Sequence, residues 1–294
     1  MELIIGSNVS FTKDKGLLGS VEETLSYNAN TFMFYTGSNR SRARNPINSD
    51  KTYEAFKLML ENNINPKNVI VHSPFLINLA NKKELSKYNF SIDFLITELE
   101  RTKELGFDNL VLHPGSAINC TKEEGIENIA EGINEALSKT EDTNILLEYM
   151  SGKGNEVGSS IDELKQIIEK VNQKDRIYVC LDTCHMNDSG IDLTKIDDFL
   201  DEFDEKIGID KIKCIHINDS LNEISSHKDR HANIGYGKIG FETLTNIIYN
   251  KRLEGIPFLL ETPFINRNMN NAKAPYKEEI KMIREKKFTD FINQ

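Results

Sequence analysis

Eight short apolar runs recur along the chain: LIIG at 3–6, FMFYT at 32–36, NVIVH at 68–72, NLVLH at 109–113, NILLE at 144–148, YVCLD at 178–182, KCIHI at 213–217 and PFLLE at 257–261. Each is aliphatic or β-branched and none alternates apolar with polar, as expected of strands covered on both faces. The intervals between them leave room for a helix and two turns, and they carry helical signals. In 88–106, Phe90, Phe94, Leu95, Leu99 and Leu105 make one stripe, and Gly106 offers a stop. Thr121 with Glu124 forms a capping-box signature ahead of Ile126, Ile129, Ile133 and Leu137, and Ser160 with Glu163 repeats it ahead of Leu164, Ile167 and Ile168. Eight strand–helix units without linker, repeat or low-complexity tract predict an α/β fold, a single-domain (β/α)8 TIM barrel over 1–294. An open doubly wound sheet is the alternative, but no Gly-rich dinucleotide turn or P-loop follows any run.

Composition changes this picture little. A chain of 294 residues with 38% hydrophobic and 28% charged positions suits one large globular domain. Neither a signal peptide at the N-terminal MELIIGSNVSFTKDKGLLG nor a membrane-length apolar stretch is visible, and Cys120, Cys180, Cys184 and Cys214 form no disulfide framework. A cytoplasmic protein with reduced thiols is expected. The formal charge of −10 speaks against a general nucleic-acid binder, so any affinity for phosphate has to come from local patches.

Candidate chemistry lies at the ends of the runs. His72, His113, Glu148 and Asp182 close the third to sixth, with His185 just beyond. His216 lies near the end of the seventh, and Glu261 closes the eighth. Barrel active sites gather where strands end, so these side chains are expected at one mouth. A single histidine after a strand is more often a hydrogen-bonded structural residue than a ligand. Here four of the six histidines fall at strand ends, and His231 lies in a loop that starts there, alongside three strand-end carboxylates. That coincidence points to a polynuclear metal site. Imidazole with carboxylate suits Zn²⁺, with Mn²⁺ or Fe²⁺ able to substitute, whereas Mg²⁺ prefers oxygen ligands. Glu148 has two oxygens with which to bridge two cations.

Three strings, LDTCHMNDSGIDL (181–193), HINDSLNEISSHKDRHANIGYGKIG (216–240) and HSPFLINLAN (72–81), together with HPGS (113–116), resemble endonuclease IV, the zinc-dependent family of AP endonucleases. The resemblance runs from GSNVS at residue 6 to ETP at residue 261. It implies three zinc ions. The first is held by His72, His113 and Glu148, the second by Glu148, Asp182, His216 and Glu261, and the third by His185, Asp229 and His231. Glu148 and Glu261 are the carboxylates expected to act in catalysis. His227 is left as a solvent-facing loop residue. Three ions would cancel more than half of the negative charge. The sequence departs from the family pattern at Asn8, where His is common, at Phe75, where Tyr is common, and along Met186–Ser189, which is unusually polar.

The loop TGSNRSRARNPI (36–47) carries Arg40, Arg42 and Arg44 without an acid. Such clusters are commonly solvated surface. This one follows a barrel strand and matches the family's DNA-penetrating loop, so all three arginines are expected to contact DNA, with Arg40 in the minor groove. Phe75 and Leu76 are candidate wedges, although Leu76 equally suits the core. The resemblance implies zinc-hydroxide hydrolysis of the phosphodiester 5′ to an abasic site in double-stranded DNA, leaving a 3′-hydroxyl and a 5′-deoxyribose phosphate, and trimming of blocked 3′ ends. A monomer without an obligate protein partner and without membrane attachment is expected. The rival readings are a metal-dependent sugar isomerase or epimerase on the same barrel, and a catalytically silent DNA-damage binding protein.

Overall fold

The structure, a computed structural model, describes residues 2–267 and 269–293. Eight parallel strands close into a barrel: β1 (Ile5–Asn8), β2 (Thr31–Phe34), β3 (Ile70–His72), β4 (Asn109–Leu112), β5 (Asn144–Glu148), β6 (Ile177–Asp182), β7 (Ile212–His216) and β10 (Phe258–Leu260). Two further short strands, β8 (Asp219–Ser220) and β9 (His231–Ala232), form an antiparallel ribbon beyond β7. The helices are α1 (Gly16–Ser26), α2 (Ser49–Glu61), α3 (Leu85–Glu104), α4 (Lys122–Ser138), α5 (Ile161–Lys170), α6 (Thr183–Ser189), α7 (Ile196–Lys206), α8 (Phe241–Ile248) and α9 (Tyr276–Glu285). Among the described residues no helix is long and apolar enough to cross a membrane.

The expected barrel is therefore present, with shifted edges at its first strands. β1 begins two residues into the LIIG run, at Ile5, and extends through Ser7 and Asn8, because Ser7 pairs with both Phe32 and Leu260. A hydrophobicity signal cannot see polar residues that a ladder recruits. β1 and β2 approach so closely at Gly6 that a Cβ there would lie 1.8 Å from the Thr31 carbonyl oxygen. The helix signals hold. Thr121 and Glu124 complete both halves of a capping box, and Gly106 (φ 83°) follows α3. At α5, Ser160 caps the Glu163 amide, but the Glu163 carboxylate turns to the amides of Gly158 and Ser159 instead of closing the box.

Two separate buried clusters reveal which way each strand faces. Met33, Ile70, Val111, Leu146, Cys180, Cys214 and Leu259 pack with one another as the plug inside the barrel. Their chain neighbours, such as Phe32 and Phe34, Leu110 and Leu112, or Ile145 and Leu147, belong to the larger cluster beneath the helices. Strand side chains alternate, so the next inward position lies two residues beyond each plug residue. Those positions are Tyr35, His72, His113, Glu148, Asp182, His216 and Glu261. Chemistry at the mouth thus rests on an apolar floor. Leu146→Ala, which opens a void in that floor, should lower unfolding stability by about 2–5 kcal/mol in a denaturant titration. Leu60→Ala, on a residue 80% exposed, should change it by less than about 0.5 kcal/mol.

Candidate metal centre

Glu148 occupies the middle of the mouth and is fully buried. Its Oε2 lies 3.2 Å from His72 Nε2 and 2.9 Å from His113 Nε2, while Oε1 lies 3.2 Å from His216 Nδ1 and 3.3 Å from His185 Nδ1. Glu261 reaches the same His216 nitrogen at 3.1 Å. On the far side, Asp229 Oδ1 lies 3.1 Å from His185 Nε2 and 3.5 Å from His231 Nε2. Asp182 Oδ2 stands between the two halves, 3.8 Å from His216 Nδ1 and 3.7 Å from His231 Nε2. Donor atoms sharing one zinc-class ion in tetrahedral geometry lie about 3.4 Å apart. These separations straddle that value, so all nine expected ligand residues converge on one site.

Their outer contacts aim them. The second ring nitrogen of His72 meets the Ser73 carbonyl at 2.7 Å, that of His185 the Tyr149 carbonyl at 3.0 Å, and that of His231 the Glu261 carbonyl at 3.2 Å. Each carbonyl can only accept, so Nδ1 donates there and Nε2 is the nitrogen turned to the site, able to bind a metal ion once it carries no proton. His231 Nε2 is buried with no hydrogen-bond partner, which fits a nitrogen able to ligate a metal. His216 presents Nδ1 to Glu148 and Glu261, its buried Nε2 has no hydrogen-bond partner, and one of its ring nitrogens lies within 4.8 Å of the Cys180 and Cys214 thiols on the floor. Asp182 divides its work: Oδ1 caps α6 by accepting the His185 amide (2.9 Å), and Oδ2 accepts from Asn218 Nδ2 (2.7 Å).

Burial disfavours charge throughout the cluster, yet opposite partners prevail. His113 and His216 hold the Glu148 carboxyl well below the usual range. His216, followed by His72, brings Glu261 down to about 2. Asp182, Asp229 and Glu148 raise His185 well above an ordinary imidazole. A buried site whose carboxylates stay ionised beside imidazoles also attracts divalent cations, and its imidazole and carboxylate donors fit the zinc class.

Sequence reasoning missed Tyr35 and Asn218, and it noted Asn8 only as a departure from the family pattern. The Tyr35 ring stands 4.9 Å from that of His72, and burial, with Glu261 and Glu148 adding to it, pushes its phenol pKa well up. Asn218 holds Asp182 and also accepts the Glu261 amide at 2.9 Å. The Asn8 side-chain oxygen is buried and unpartnered. Counting two residues on from each plug position finds Tyr35. Asn8 closes β1 two residues beyond Gly6, in the same alternation. His227 is exposed, as expected, with its ring anchored on the Ser151 carbonyl.

The basic loop needs one correction. Arg40 and Arg42 are exposed, and Arg42 lies over the Phe90 ring. Arg44 does not face solvent. Its guanidinium pairs with fully buried Glu98 (2.6 Å), stacks over Phe94 and donates to the carbonyls of Ser38, Ser41 and Ala43. Glu98 also accepts from Thr36 (2.8 Å). Arg44 was expected to touch phosphate, but a buried acid on α3 claims it as an internal strut. Phe75 and Leu76 are 54% and 41% exposed, so Leu76 is not core, and the Phe75 ring stands 5.2 Å from that of His113.

Fold and site together define a xylose isomerase-like TIM barrel with an imidazole–carboxylate mouth, and the family profile of that description matches residues 21–286. Within it the chain belongs to the endonuclease IV family. A probable endonuclease 4 of Ureaplasma parvum is 48% identical over 99% of this chain and 97% of its own length. The endonuclease IV structure from Thermus thermophilus superposes with a TM-score of 0.80 at 28% identity, over 96% of this chain and 97% of that one. A D-tagatose 3-epimerase-like protein reaches a TM-score of 0.67 at 17% identity, over 97% of this chain and 99% of that one, a likeness of fold alone.

Salt dependence separates the arginines. Arg42→Ala should make the log–log slope of DNA affinity against salt shallower by about one unit. Arg44→Ala should leave the slope unchanged while lowering stability by about 3–5 kcal/mol, since it strands Glu98. Equal slope changes in both variants would return Arg44 to the DNA-contacting set.

Proposed function

We propose that this chain is an AP endonuclease that hydrolyses the DNA phosphodiester 5′ to an abasic site, with three zinc ions held by the nine convergent side chains. The convergence itself carries the reading: five imidazoles and four carboxylates meet from the ends of six barrel strands, from α6 and from the segment that leads into β9, three of the imidazoles aimed by backbone carbonyls. Near-full-length likeness to endonuclease 4 proteins supports it. Bound divalent ions would supply an activated water and neutralise charge on the reacting phosphate. Glu148 directs its two oxygens to opposite histidine pairs, as a bridging carboxylate must. Exposed Arg40 and Arg42 offer phosphate contacts, Arg40 within the minor groove. Phe75 and Leu76 form an apolar wedge beside the mouth. An abasic nucleotide has no base to unstack, so extruding it into this mouth costs less than flipping an intact one. The products are a 3′-hydroxyl and a 5′-deoxyribose phosphate, and blocked 3′ ends are trimmed by the same site. The protein acts as a monomer, and Mn²⁺ can replace zinc.

An end-labelled duplex with one abasic analogue should be nicked 5′ to the lesion, leaving an end that a polymerase extends. Glu261→Gln should bind this duplex but nick it at least about 100-fold more slowly, since even outer-shell losses reach that size. Wild-type protein that binds without nicking would be the silent binder. Protein that leaves DNA intact and interconverts aldose and ketose would be the isomerase.

Elemental analysis should find close to three zinc-class ions per chain. His231→Ala should remove one and Glu148→Gln should disturb two. One ion in fully active protein would contradict the trinuclear site.

A further inference from the structure

α6 contains a fully buried carboxylate that is not among the nine ligand positions. Asp188 accepts four hydrogen bonds: Oδ1 from Asn187 Nδ2 (3.0 Å) and Ser220 Oγ (2.7 Å), Oδ2 from Asn222 Nδ2 (3.0 Å) and the backbone N–H of Asp229 (2.9 Å). Its own carbonyl accepts the His227 amide (2.9 Å), and the Asn187 carbonyl accepts that of Ser225 (3.0 Å). Segment 221–230, which joins β8 to β9, is thus tied to α6 at four residues.

That segment needs the ties. Ser225, His227 and Asp229 adopt φ of 63°, 52° and 56°, the left-handed region that side-chain-bearing residues seldom occupy. Such backbone persists where its surroundings over-determine it. At Asp229 the constraint comes directly from Asp188 Oδ2, and the Asp229 side chain then lies 3.1 Å from His185 and 3.5 Å from His231. His185 and Asp188 are one helical turn apart on the same helix. One rigid element therefore supplies a ligand and fixes the backbone of its co-ligand. This also gives a physical reason for the polar Asn187–Asp188 pair on α6.

We infer that Asp188 is a positioning residue for the third ion, setting that subsite's affinity through the Asp229 backbone without touching metal or DNA. The inference rests on reading His185, Asp229 and His231 as an ion site. It is tested by equilibrating stripped protein against buffered free Zn²⁺ and counting bound ions, alongside abasic-duplex binding and nicking. Wild type should take up three ions. Asp188→Ala should hold the first two at unchanged free zinc and need about 10–100-fold more for the third. Its affinity for the duplex should be kept, and its nicking restored as free zinc rises. Asp188→Asn, which retains an acceptor for the Asp229 amide, should fall between. Unchanged third-ion affinity in Asp188→Ala, or in Asp188→Asn if the alanine variant does not fold, overturns the inference. Equal loss of all three ions also overturns it. Wild type that takes up only two ions overturns the three-ion reading first, and the inference with it.

Discussion

In a closed barrel of parallel strands, every second side chain must enter the interior, and the last inward position of every strand opens onto one mouth. The interior below is filled by Met33, Ile70, Val111, Leu146, Cys180, Cys214 and Leu259. A register slip of one residue in a strand would put a mouth residue under the helices and an aliphatic side chain in the mouth. Apolar packing therefore fixes the polar site, because the floor and the mouth residues share one alternation.

The concentration of charge at the mouth follows from that geometry. Four carboxylates and five imidazoles cannot be withdrawn from water at so short a range unless each finds an opposite partner. Glu148 meets four histidines, and Glu261, Asp182 and Asp229 bind the remainder into one network. The negative balance of the chain coexists with a DNA substrate because some of its acids lie inside this network, while basic residues stand on a separate loop.

Two loops beside the mouth of the barrel are each held by a buried acid. Glu98 on α3 receives Arg44 and gathers the carbonyls of the 36–47 loop around it. Asp188 on α6 receives the amide of Asp229 and organises segment 221–230. In both cases a helix beside the mouth supplies the anchor, and the residues next to it, Arg42 on one loop and Asp229 on the other, are ordered as a consequence.

The sequence alone determined the barrel, because eight doubly apolar runs and the capped helices between them are local signals of burial and periodicity. It also determined which polar side chains share the mouth, since His72, His113, Glu148, Asp182, His216 and Glu261 end or nearly end those runs. Tyr35 was legible in principle from the same alternation. The fate of Arg44 was not, because its partner Glu98 lies 54 residues away and looks like any helical glutamate. Nor were the roles of Asp188 and Asn218, whose bonds to Asp229 and Glu261 span 41 and 43 residues. Tertiary structure decided which charges face solvent and which hold a loop, because a side chain's pattern along the chain records its burial but not the distant group that it meets there.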